Sequence, residues 1–281
     1  MQLIINADDA GIDIGRNQGI FEAVQKGVVT SISLIVGQAG WQDALSQIRK
    51  NSNVGVGLHF NLTAGKPIAQ GLKTIVKPDG CFFNKFELWQ RSVDGVIDSD
   101  EVAREFYAQL DAFKKAGLKL SHVDGHNHVH LLPCVRDGFL KAAPARSWVR
   151  LPFEHSKDSR NPLKEDAYSV YNNAEFLVPA ANFLSQEAFG IWKDRFRYID
   201  DFSGTLLTPY PTLEGFKKAV TELRGNVCEL MCHPGGKPQS DAVNFSKLME
   251  RQKEFQILTS TSFKGFLNEQ NIHLISYQDL N

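Results

Sequence analysis

Short apolar runs, the strongest of them rich in β-branched residues, alternate with segments of helical period along this 281-residue chain. The runs lie at 2–7, 28–36, 54–59, 119–124, 148–152, 197–200, 227–232 and 272–276; Val28-Val29-Thr30-Ser31-Ile32-Ser33-Leu34-Ile35-Val36 is the clearest. Continuous apolar runs of this kind suit parallel strands covered on both faces. The intervening segments near 16–26, 41–50, 100–116, 134–143, 181–193, 212–224, 245–257 and 260–269 read as helices. In 100–116, Val102, Phe106, Leu110 and Phe113 share one stripe, Asp98-Ser99-Asp100-Glu101 supplies capping and acidic residues, and Gly117 stops the run. Eight strands alternating with helices predict a single α/β domain over residues 1–281, a distorted (β/α) barrel of the TIM-barrel kind. An open doubly wound sheet is the second choice. No Gly-x-Gly-x-x-Gly follows the first strand, which weakens a dinucleotide-binding reading.

Several of the predicted strands stop in residues that do chemistry. The first ends in Asp8-Asp9 and the third in His59. The fourth leads into Asp124-Gly125-His126-Asn127-His128-Val129-His130, and the seventh runs into His233-Pro234-Gly235. Four of the eight histidines fall between 122 and 130. Imidazoles fill a core poorly and must be hydrogen-bonded when buried, so packing does not explain that density. In α/β barrels the active site lies at the C-terminal ends of the strands, so these residues are expected on one rim. One carboxylate and two imidazoles form a metal-ligand set that leaves positions open for water and substrate. Asp9, His59 and one histidine of the 126–130 cluster supply it; the second carboxylate of the Asp pair is then available as a base. His122, before the turn, reads as structural.

Two intervals are too long for simple connections. Residues 60–97 carry Pro67, Gly71, Pro78, Gly80 and the aromatics Phe82, Phe83, Phe86 and Trp89; residues 153–180 are polar, with Pro162, Tyr168, Tyr171 and Pro179. Such loops act as lids or binding loops, or cover a satellite core. The net charge of −1 gives no general attraction to nucleic acid or anionic membrane. The opening run lacks a basic flank and is too short for a signal or a span, so a cytoplasmic location is expected. Cys81, Cys134, Cys228 and Cys232 match no zinc motif or disulfide framework; Cys228 and Cys232 read as buried free thiols.

Asn6-Ala7-Asp8-Asp9, Gly57-Leu58-His59-Phe60-Asn61-Leu62-Thr63, the His122–His130 segment and His233-Pro234-Gly235 together resemble the signatures of the YdjC-like carbohydrate deacetylases, in order along nearly the whole chain. The resemblance implies a barrel related to polysaccharide deacetylases, one divalent metal ion (Mg2+ or Zn2+) and removal of acetyl groups from N-acetylated sugars. By position it gives Asp9, His59 and His126 as metal ligands and Asp8 as base. His233 is the expected proton donor to the leaving amine. Arg150, Asn61, His128 and Trp89 are the candidate substrate contacts. The expected partner is a small N-acetylglucosamine-containing oligosaccharide, with a homodimer an allowed assembly. Ala10 departs from the family pattern, where Phe often follows the Asp pair. Two other readings stay open: a silent metal- or sugar-binding protein, and a non-haem iron oxygenase, because two histidines and a carboxylate also hold Fe(II).

Overall fold

The computed structural model describes residues 1–154, 161, 163, 165–207, 210–236 and 248–280. Pro162 and the first three residues of the helix candidate 245–257 lie outside them. The chain forms two compact units: Met1–Gly57 with Leu120–His122 and Ile199–Asn281, and Leu58–Lys119 with Val123–Tyr198.

The first unit is built on β1 (Gln2–Ala10). Leu3, Ile4, Ile5 and Ala7 are fully buried, as expected of a parallel strand covered on both faces. β1 pairs in parallel with β2 (Ser31–Leu34), β6 (Val227–Cys232) and the short β7 (His273–Leu274). β5 (Asp201–Ser203) continues the sheet beyond β6. The first residue of β3 (Gly55–Phe60) is held by the Gly55 N–H donating to Thr30 O. Among the described residues the helices here are α1 (Ile14–Lys26), α2 (Trp41–Lys50), α8 (Leu213–Glu222), α9 (Leu248–Thr259) and α10 (Thr261–Glu269). Asp13, Thr212 and Ser260 cap α1, α8 and α10 by accepting backbone N–H bonds in the first turn. The β1–β2 register is regular at Asn6↔Ser31 and Ala7↔Ile32, then shifts before Ala10↔Leu34. Asp8 and Asp9 occupy that irregularity.

In the second unit the end of β3 runs parallel to β4 (Val123–Gly125), with His59 opposite Asp124 and Phe60 opposite Gly125. A short 3-10 segment, His126–Leu131, follows directly. The unit's helices are α3 (Lys85–Val93), α4 (Ser99–Lys115), α5 (Val135–Ala142), α6 (Ala167–Asn172) and α7 (Ala174–Trp192). The predicted strand at 148–152 is reduced to single bridges, Val149 with Val123 and Trp148 with Arg197. Pro152 has no N–H to give, so a ladder cannot extend through it. Likewise the run at 197–200 carries one bridge, and the paired strand lies just beyond it in β5.

The interval 60–97 is more ordered than a simple loop. Buried Glu105 accepts the N–H groups of Ile68 and Ala69, and Glu101 those of Lys73 and Thr74. Both acids stand on α4, one turn apart. α3 then starts in a capping box, Asn84 with Glu87.

Candidate functional site

Asp8 and Asp9 are adjacent and both buried, yet their surroundings differ. Asp8 Oδ1 accepts from the side-chain amide of Asn6 at 2.8 Å. Its other oxygen stands 3.9 Å from Nε2 of His233. Asp9 adopts φ 71°, a left-handed conformation that costs a non-glycine residue energy and marks a position held by its surroundings. Its Oδ2 accepts from Arg251 Nη2 at 2.6 Å, a buried charge-assisted bond reaching from α9. Arg16 is close enough that Asp9 and Arg251 both influence it; its own pKa is lowered, mainly by burial.

His233 follows β6. Its backbone N–H donates to Oε2 of the fully buried Glu254 at 2.6 Å. Gly235 N–H then donates to Arg251 O, and Gly236 N–H to Gly15 O. A Cβ on Gly19 would stand 2.3 Å from the carbonyl carbon of Gly235, so only glycine lets this loop lie on α1. The loop is therefore fixed from both sides, and His233 stays partly open, with 18% of its side chain exposed.

In the second unit His59 Nδ1–H donates to Asp124 Oδ1 at 2.7 Å, and Arg150 Nη1 donates to Asp124 Oδ2 at 2.9 Å. All three side chains are buried. Because a carboxylate only accepts, His59 carries a proton on Nδ1, which in the neutral ring leaves the lone pair on Nε2. A carboxylate behind an imidazole in this way fixes tautomer and ring orientation in histidine metal ligands. His126, half-buried, begins the 3-10 segment with its ring edge-on to His59 at 5.5 Å between centroids. Asn127 and His128 then take left-handed φ of 54° each. His130 returns to the interior, where its Nε2–H donates to Arg150 O at 3.0 Å. Burial lowers its pKa from 6.5 to about 4. A Cβ on Gly125 would lie 2.5 Å from His130 Nδ1, so the glycine between Asp124 and His126 makes room for that ring.

Of the four expected substrate contacts, three are closed off. Arg150 has no exposed surface and is committed to Asp124. Trp89 is 2% exposed and packs edge-on against Tyr171. Asn61 is buried; its Oδ1 accepts from the N–H groups of Thr63 and Ala64, and it shapes the turn after β3. His128 is half-buried. The most open aromatic here is Tyr168, 70% exposed, with Phe86 beside it at 5.8 Å. His122 is buried, and Cys228 and Cys232 are buried free thiols. Arg251, Glu254 and Asn6 were not singled out from the sequence. Asn6 alone carried a signal: it lies two residues before Asp8, on the same strand face.

The pattern of the family described as YdjC-like protein matches residues 2–269. The chain is similar to a carbohydrate deacetylase of Brevibacillus brevis, 32% identical with all of both chains covered. It is also similar to a carbohydrate deacetylase of Homo sapiens, 31% identical over all of this chain and 91% of the relative. Among solved structures, a candidate cellobiose-phosphate cleavage protein of Enterococcus faecalis V583 superposes with a TM-score of 0.75 at 24% identity, covering 99% of this chain and 98% of that one. That likeness shows a shared fold, α/β of the distorted (β/α)-barrel class. No helix among the described residues is long and apolar enough to cross a membrane. With its family pattern matched almost end to end and its signature residues on β1, β3, β4 and β6, this chain belongs to the YdjC-like family.

Proposed function

We propose that this protein is a metal-dependent carbohydrate deacetylase that removes the N-acetyl group from small amino-sugar oligosaccharides. The deacetylase reading is supported by the family and by the activity named for its relatives. The observation that carries the metal dependence is the His59–Asp124 bond. With Nδ1 donating to Asp124, the neutral ring offers its lone pair at Nε2, backed by a carboxylate that Arg150 pairs in turn. By the family resemblance Asp9, His59 and His126 are the proposed ligand set, one carboxylate and two imidazoles, donors whose chemistry suits a divalent ion such as Mg2+ or Zn2+. When bound, such an ion supplies Lewis-acid polarisation of the acetyl carbonyl and acidifies water.

The chain's own residues handle the protons. Asp8, whose Oδ1 accepts from the Asn6 amide, takes the proton of the attacking water. His233, held by Glu254 at its backbone and partly open, gives a proton to the departing amine, which otherwise leaves poorly. Acetate and a free amino sugar result. The half-exposed aromatics of α3 and α6 supply apolar faces of the kind sugar rings stack on.

The test is acetate release from chitobiose-sized substrates, before and after chelation and after return of Mg2+ or Zn2+. Release that chelation abolishes and metal restores supports the proposal. Release that survives full metal removal overturns the metal dependence. Robust release from an acetyl-lysine peptide or an O-acetyl ester, with none from any N-acetyl sugar, overturns the substrate.

A further inference from the structure

Behind Asp8 lies a buried chain of hydrogen bonds that the proposed reaction does not use directly. Asn6 Nδ2 donates both its protons, one to Asp8 Oδ1 and one to Ser33 Oγ, each at 2.8 Å. The carboxylate fixes the amide's orientation, since Asp8 can only accept there. Ser33 Oγ stands 3.1 Å from His122 Nε2, and Ser121 Oγ 2.9 Å from His122 Nδ1. The His122 ring is stacked on Tyr277 at 4.0 Å between centroids and 17° between planes. Tyr277 is anchored by its N–H on Ser31 Oγ and by its hydroxyl donating to Glu229 Oε2 at 2.6 Å. A Cβ on Gly57 would fall 2.4 Å from the His122 ring, so the imidazole fills its slot completely. Asn6, Ser33, His122 and Asp8 are each 2% exposed or less.

Packing alone gives a poor account of Asn6. Its Oδ1 is buried and meets no hydrogen-bond donor among the described residues. Such an atom costs roughly 1–3 kcal/mol. An apolar side chain of similar size at this position would avoid that cost. What it could not do is point an N–H at Asp8. Resting on the deacetylase reading above, we infer that Asn6, held in place by Ser33 and His122, is a positioning residue that fixes the Asp8 carboxylate for proton transfer. The support's two members nearest Asp8, the Asn6 amide and the Ser33 hydroxyl, carry no charge. It meets Asp8 with an amide, where Arg251 meets Asp9 with a guanidinium.

The discriminating experiment is a double-mutant cycle on the metal-loaded protein. Asn6→Leu should lower kcat about 10–100-fold, the scale of a misplaced reacting group. KM should stay within about twofold, because ground-state binding is untouched. Metal content and melting temperature should not fall. In an Asp8→Asn background, Asn6→Leu should have no further effect on kcat, since it acts only through Asp8. An equal loss in both backgrounds, or wild-type kcat in Asn6→Leu, overturns the inference. If Asn6→Leu does not fold, Ser33→Ala takes its place, with a smaller kcat loss that likewise vanishes beside Asp8→Asn; a loss that persists there overturns the inference. A crystal structure of Asn6→Leu gives a readout independent of substrate. The Asp8 side chain should leave its present rotamer, and an unmoved carboxylate overturns the inference. Absence of acetate release by the wild type would fail the deacetylase reading, while this structural readout still decides the positioning.

Discussion

Two buried hydrogen-bond chains run behind the candidate residues, one in each unit, and they differ in charge. In the second unit the chain is ionic: His59 on Asp124, Asp124 on Arg150. In the first an amide and a hydroxyl carry the bonds away from the carboxylate: Asp8 on Asn6, Asn6 on Ser33, Ser33 on His122. The contrast matches the two tasks proposed for them. A metal ligand needs a fixed lone pair, and an anion behind the imidazole strengthens it. A base must accept a proton, and a guanidinium bonded directly to it would hold that proton off. The same division separates the neighbours on β1, since Asp9 rather than Asp8 takes the guanidinium of Arg251.

The strongest attack on this contrast is Asp8→Asn. Turnover should fall about 10²–10⁴-fold, the usual share of a general base, with metal content unchanged. Near-normal kcat would remove the base from the Asn6 chain and leave the comparison without meaning. Asp124→Asn probes the ionic chain. Metal affinity should drop about 10–100-fold, measured by competition with a chelating dye, because the amide no longer polarises His59. An unchanged affinity would show that His59 needs no carboxylate behind it.

The two buried histidines sharpen the comparison through pH. His122 has a partner at both nitrogens, whereas His130 has only the Arg150 carbonyl, its Nδ1 meeting no partner among the described residues. Burial holds the His130 pKa near 4, against 6.5 in the unfolded chain. Between these values the unfolded chain takes up a proton that the folded one refuses. Stability from this group is therefore full above pH 6.5 and is lost as the pH falls toward 4, by on the order of 3 kcal/mol. Urea titrations at pH 7 and pH 4.5 should show the decline, and His130→Gln should flatten it. An unaltered slope in that variant would assign the acid sensitivity elsewhere. The smallest effect is expected at Tyr168, the most open of the aromatics beside α3. Tyr168→Ala should raise KM for oligosaccharides a few-fold with kcat intact, since stacking on a sugar is ground-state binding. A fall in kcat alone would contradict that.

Much of this was legible from residue order. The β1, β3 and β6 runs, α2, and the stripe on α4 stand out because burial on both faces, or on one helical face, leaves a period in the sequence. The chemical residues at strand ends were readable for the same reason, since strand direction puts them at one end. The losses have physical causes too. α3 hides in a stretch bounded by glycine and proline, and its capping box was overlooked. Arg251 sits 242 positions from Asp9, and no local pattern links them. The burial of Arg150 beside Asp124 was not legible either, because a charge at a strand end carries no local sign of the partner it meets. Asn6 and Ser33 were partly readable. Polar residues at alternate positions of otherwise apolar strands have to bond to something inside.

The slot between Gly57 and His122 also bears on how this sequence can vary. With 2.4 Å left for a Cβ, alanine at 57 and histidine at 122 exclude one another. The two positions should therefore change as a pair among relatives. Chains that gain a side chain at 57 will have surrendered the imidazole at 122, and with it the far end of the Asn6 support. A survey of substitutions at these two sites can thus trace the Asn6 chain through the family without a single assay.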